Sequence, residues 1–133
     1  MKIKTTWDDE TKKIIRYEFL RDWNWQDFHN AIEQARLMLD EVDHKVGIIF
    51  DFRNASLIPN GAITQIKKAY SNPKHPNIGT NVVIGGSAFM QAIMSIGAKL
   101  TGLAAQNWDF QYAASLEEAR QIIYSKAENA ANQ

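Results

Sequence analysis

The segment Val46-Gly47-Ile48-Ile49-Phe50 is almost unbroken in its apolar character. It ends in Asp51 and passes through a polar loop to Asn60-Gly61, where a helical pattern begins. A short apolar run without alternation is the signature of a strand covered on both faces, as in the interior of a parallel sheet. The pattern predicts a buried strand over 46–52 followed by a helix. In open α/β sheets the carboxyl ends of such strands face ligands and partners. The α/β class and a working edge at the loop 53–60 both follow. No reaction does.

The flanking patterns fill in the architecture. Ile3, Thr5 and Trp7 alternate, the acidic stretch Asp8-Asp9-Glu10-Thr11 predicts a solvated turn, and Ile15, Tyr17 and Phe19 alternate with Arg16 and Glu18. Period two in both arms predicts a hairpin at an antiparallel sheet margin. Asn24 is placed to cap a helix, with Asp27 three residues on. Trp25, Phe28, Ile32, Ala35, Leu39 and Val42 then recur at helical spacing. Ile63, Ile66, Ala69 and Tyr70 mark a second, shorter helix, and Val82-Val83-Ile84 a further buried strand. A third predicted helix follows Gly85-Gly86-Ser87 to about Leu100, Trp108–Tyr112 reads as a strand, and Ser115-Leu116-Glu117-Glu118 is a capping box opening the last helix. The order β-β-α-β-α-β-α-β-α implies right-handed crossovers. A mixed, mostly parallel sheet is expected, with helices packed on it and an antiparallel N-terminal edge hairpin. Residues 1–125 read as a single domain, and 126–133 as a polar, frayed tail.

Several function classes are disfavoured by composition. Fifteen Lys and Arg balance fifteen Asp and Glu, with no basic run, which argues against nucleic acid as a partner. The absence of cysteine removes disulfides, thiolate nucleophiles and Cys-based metal sites. Between Val82 and Ala105 the only charge is Lys99, but glycines and hydroxyl residues dilute the stretch, and it divides into a strand and a helix rather than a membrane span. The opening residues lack the apolar core of a signal peptide, so a cytoplasmic location is expected.

Candidate functional residues gather in two places. At the working edge, Asp51, Arg53, Asn54, Ser56, Asn60 and Gly61 stand near a helix amino terminus suited to an anion. The alternative reading is local: Asp51 and Asn54 bond the loop's own amides, Ser56 faces solvent and Asn60 caps the helix. Ser87, after two glycines, is open to the same pair of readings, anion site or helix cap. The second place is the third predicted helix, whose apolar surface extends to Met90, Met94 and Ala98. A helix that apolar is either buried on most sides or docks on something, and methionines suit adaptable contacts. His29, His44 and His75 lack the spacing of a metal site, no catalytic triad is readable, and no cofactor is expected. The tryptophans read as sheet–helix packing, with Trp23 partly exposed.

Residues 46–66 resemble the core of the STAS family, the domain shared by anti-sigma-factor antagonists and anion-transporter tails. In that family an apolar strand ends in Asp, and an Asp-Ser-Ser-Gly-Leu-like motif opens a helix that carries a phosphorylated serine. Asp51 matches the strand-end acid and Gly61 the glycine, whereas Pro59-Asn60 stands where the acid and serine belong. The whole chain is similar to small stand-alone bacterial STAS-like domains of unassigned function, a type also compared with lipid-binding folds. Asp51-Phe52-Arg53 with Pro59 and Gly61, the His75-Pro76-Asn77 turn and Ser115–Arg120 carry this likeness. The resemblance implies a non-enzymatic regulatory domain that lacks the family phosphoserine. The expected function is therefore protein–protein docking, and the apolar surface of the third predicted helix adds a homodimer with Met90, Met94 or both at or near the contact. The alternative is a carrier of a small apolar or anionic, lipid-like ligand between the 53–60 loop and the third predicted helix.

Overall fold

In the computed structural model, which describes residues 2–55, 57–71, 73–86 and 110–131, five strands form one mixed sheet in the order β1-β2-β3-β4-β5. The strands are β1 (Ile3–Trp7), β2 (Ile14–Phe19), β3 (Val46–Asp51), β4 (Ile78–Ile84) and β5 (Phe110–Ala113). The helices are α1 (Trp25–Leu39), α2 (Ala62–Tyr70) and α3 (Leu116–Ala131). β1 and β2 pair antiparallel, while β2–β3, β3–β4 and β4–β5 are all parallel. The expected alternation and antiparallel margin are present. The third predicted helix lies outside the described residues, and with it Ser87, Met90, Met94 and Ala98; Ser56 lies outside them too.

β3 occupies the centre of the sheet, and every one of its six residues is buried. That is the physical counterpart of its unbroken apolar run. Because β2, β3 and β4 lie side by side in chain order, right-handed crossovers put α1 and α2 on the same face. Phe28, Ala31, Ala35 and Leu39 of α1 and Ile66 and Tyr70 of α2 accordingly share one core with Ile15, Tyr17, Phe19, Ile48 and Phe50. α3 covers the other face, where Ala119 and Ile123 meet Ile14, Ile49, Val82, Ile84 and Ala113. Its approach depends on Gly47: a β-carbon there would lie 2.8 Å from Ile123 Cδ1.

Helix ends follow the local chemistry. Asn24 Oδ1 accepts the Asp27 amide at 2.8 Å, and Asp27 accepts the Asn24 amide at 3.1 Å, a reciprocal capping box. α1 stops at Leu39, short of Val42, and Asn77 Nδ2 donates to the terminal carbonyls of Leu39 at 3.1 Å and Val42 at 2.9 Å. The His75-Pro76-Asn77 turn thus clamps the end of α1 to the start of β4. Ser115 Oγ caps α3 by accepting the Glu118 amide at 3.1 Å. α3 continues to Ala131 through the stretch that composition predicts as a frayed tail, with residues 126–129 exposed.

Two expectations about tryptophan and acid need correcting. Trp23 is buried, enclosed by Phe19 at 4.9 Å and Phe52 at 6.1 Å between ring centroids. The hairpin acids are not all solvated. Asp9 accepts the Thr11 amide at 2.9 Å at the exposed tip, but the Asp8 carboxylate is buried and accepts both Nε and Nη2 of Arg120, at 2.8 and 2.7 Å. The hairpin turn is thereby tied to α3 by a bidentate ion pair.

Candidate functional site

The carboxyl end of β3 begins with a buried charge. Asp51 is 1% exposed and accepts hydrogen bonds from the Arg53 amide at 3.1 Å, Nε at 2.9 Å and Nη2 at 2.8 Å. Arg16 Nη1, from β2, stands 3.9 Å away. Burial alone pushes this carboxyl up, but the Arg53 hydrogen bonds and the charges of Arg53 and Arg16 outweigh it, and the net direction is down. Asp51 is therefore an ionised structural anchor. The local reading of the loop holds for this residue: the acid folds the chain back onto its own amide and side chain. Asp51 supplies a counter-charge to Arg53, whose side chain is 46% exposed.

Alternation along β3 splits the predicted cluster between the two faces. Asp51 follows Ile49 onto the α3 side, whereas Phe52 turns into the aromatic core on the α1–α2 side, its ring 4.0 Å from Phe19. Asn54 is exposed beside Arg53. Ala55 is buried, and the chain then runs along the α1–α2 side to Asn60.

Asn60 does not cap α2. The capping position belongs to Gly61, which makes no side-chain hydrogen bond and has φ of +89°, a conformation that L side chains rarely adopt. The Asn60 carbonyl instead accepts from Trp25 Nε1 at 2.8 Å, pinning the loop to the first turn of α1. His29 Nε2 and Gln65 Oε1, 2.7 Å apart, join α1 to α2 nearby. Gly85, at the end of β4, has φ of +73°, and its backbone runs so close to Arg53 that a β-carbon would lie 3.0 Å from the Arg53 nitrogen.

Anchored at both ends, the loop exposes apolar side chains. Leu57 is 83% exposed, and Ile63 on the first turn of α2 is 51% exposed. Ile58 and Pro59 lie between them and line a groove of about 400 Å³ that reaches back to Trp23 and Arg21. Sequence reasoning picked the loop for its polar residues and passed over Leu57, although a leucine among polar loop residues was the available signal.

A second concavity lies on the same face, farther from the loop. A cavity of about 500 Å³ is floored by Tyr17, Ile48, Phe50 and Asn81 and walled by α1, α2 and the 73–76 turn. Burial raises the Tyr17 phenol, and burial together with the neighbouring Tyr17 raises Tyr70, so both hydroxyls stay neutral over the ordinary pH range. At the cavity rim, His75 Nδ1 accepts the Asn77 amide at 3.0 Å, which assigns the proton to Nε2, 2.8 Å from Asp40 Oδ1.

Among the described residues, no group of three His, Cys, Asp or Glu stands together to hold a metal ion, and no helix is long and apolar enough to cross a membrane. No family model matches the chain, and no curated protein matches it.

Proposed function

We propose that this chain is a STAS-like, non-enzymatic docking domain that meets a protein partner through the carboxyl edge of its sheet. One observation carries the reading: Leu57 and Ile63 are both exposed, on either side of a stretch that Trp25 fastens at Asn60. Apolar side chains raised on a rigid edge are what an interface core requires, and holding them in water without a partner has no structural benefit. The acid-ended central strand and the glycine that opens α2 support the family likeness. Asn60 has no hydroxyl to phosphorylate, so docking on this edge would be set by the partner's concentration rather than by phosphorylation at the start of α2.

Self-association is the narrower form of the same proposal and adds Met90, Met94 and Ala98 to the docking surface on the sequence pattern alone. Light scattering at micromolar concentration that finds only the 15.1 kDa species would remove it. A cytoplasmic location belongs to the same reading. The docking edge itself is tested by affinity capture from the native cell with wild type, Leu57→Asp/Ile63→Asp, and Leu37→Asp as the control. Leu37 is an exposed leucine on α1. A partner held by wild type and Leu37→Asp but lost from the double variant supports the reading. Equal capture by all three contradicts it.

A further inference from the structure

We infer that the cavity between α1, α2 and the sheet binds a small uncharged molecule, with an apolar body among the two helices and an accepting oxygen on the Tyr17 hydroxyl. Its volume of about 500 Å³ falls within the range of small-molecule sites. The walls are apolar, with Ile32 and Leu39 from α1, Ala69 from α2 and Ile78 from β4. The floor is not. Tyr17, at the middle of β2 and opposite Phe50 in the sheet, is 5% exposed and lines the cavity. Among the described residues its hydroxyl makes no hydrogen bond. A donor held at a cavity wall with no protein partner is free to bond a ligand that supplies the acceptor.

The charges around the mouth argue for a neutral occupant. Arg36 is paired with Glu33 and, at 3.6 Å, with Asp40; His75 is bonded to Asp40; Lys74 also has an interaction of its own. The two carboxylates, Glu33 and Asp40, thus match the two cationic side chains Arg36 and Lys74, with His75 bonded to Asp40, leaving no surplus cation for a carboxylate or phosphate. On the floor a neutral phenol donates to a carbonyl or ether oxygen, whereas a carboxylate placed there would lose its hydration with no cation facing it. This site lies on the α1–α2 face, and no residue of the 53–60 loop, where the sequence suggests a carrier site, lines it.

The experiment compares two aromatic probes of the same outline, the ketone 2-acetylnaphthalene and the carboxylate 2-naphthoate, titrated into the full chain and followed by amide chemical shifts. The ketone should give saturable shifts centred on Tyr17, Ile48, Tyr70 and Ile78, and the carboxylate should bind at least tenfold more weakly. Tyr17→Phe should weaken the ketone about five- to tenfold, the loss expected for one neutral hydrogen bond. The melting temperature of the free protein should stay the same or rise, because the hydroxyl serves no partner within the fold. Ala69→Leu, which narrows the cavity, should abolish binding whatever the behaviour of the tyrosine variant. Shifts that do not saturate, a carboxylate that binds as well as the ketone, or an undiminished affinity in Tyr17→Phe would each overturn the inference.

Discussion

Asp51→Asn isolates the charge that organises the carboxyl end of the sheet. The amide keeps one oxygen for the Arg53 amide and Nε but turns a donor toward Nη2, which now lies 2.8 Å from a carboxylate oxygen. A charge-assisted bond is worth about 1.5–3 kcal/mol. Arg53 is 46% exposed and water takes over part of that bond, so about 1 kcal/mol is the discounted loss. Arg16, 3.9 Å away and largely covered, also loses its counter-charge. The full Coulomb attraction at that distance is about 4 kcal/mol at an effective dielectric of 20, and the desolvation of Asp51 offsets most of it, leaving about 1 kcal/mol. The sum is about 2 kcal/mol, or a melting temperature lower by about 6–8 °C for a chain of this size. Urea unfolding followed by tryptophan fluorescence should show the shift in midpoint with an unchanged slope. The pH dependence gives an independent check. A carboxyl held below its ordinary value of 3.8 stabilises the fold above that value, and the contribution disappears as pH falls through the folded-state pKa. The gap between wild type and variant should therefore narrow in acid. A gap under about 0.5 kcal/mol at pH 7, or one as wide at pH 3 as at pH 7, would refute the electrostatic account.

Three further outcomes are expected. Gly47→Ala should destabilise by about 1–3 kcal/mol through overpacking against Ile123, and Ile123→Ala in the same chain should recover part of the loss, as a double-mutant cycle by chemical denaturation would register. Raising the pH above 10 should lower stability by up to about 1.4 kcal/mol per pH unit for each buried tyrosine, because the unfolded chain releases phenol protons that the fold retains at Tyr17 and Tyr70; Tyr17→Phe should make this decline shallower in unfolding curves taken at successive pH values. Arg120→Met should destabilise by about 3 kcal/mol, by leaving the buried Asp8 carboxylate without its partner, and a loss confined to a few tenths in urea melts would show that water reaches Asp8 freely.

What could be read in advance depended on range. The buried β3 run, the alternating hairpin and the Asn24–Asp27 cap are determined by neighbours within a few residues, and each forms as its local pattern predicts. Contacts between distant segments left weaker marks. The Asp8–Arg120 pair joins residues 112 positions apart, and its trace was an arginine beside Ala119 on a helix face that otherwise carries Leu116 and Ile123. Trp23 looked exposed because Asn24 follows it, whereas Phe19, at the end of β2, and Phe52, just past β3, close over it. Asn60 has the chemistry of a cap, yet the left-handed backbone at Gly61 places the glycine at the helix start and leaves Asn60 to receive Trp25. At the working edge the sequence pointed to the polar residues of the loop, and its exposed apolar residues carried no comparable signal. Asp51 is bonded to Arg53 and the Asn60 carbonyl to Trp25, and the exposed apolar side chains there, which the proposed function assigns to a partner, are Leu57 and Ile63. The Tyr17 cavity had no local signature, since it arises from the gap between two helices laid across the sheet.

The docking edge is open to direct test by a photo-crosslinking residue placed at position 57, with the same substitution at Leu37 as the control, in cells that make the protein at its native level. The proposed function predicts one discrete adduct from position 57, suppressed by Ile63→Asp and missing from position 37. No adduct from 57, or the same adduct from 37, would contradict it.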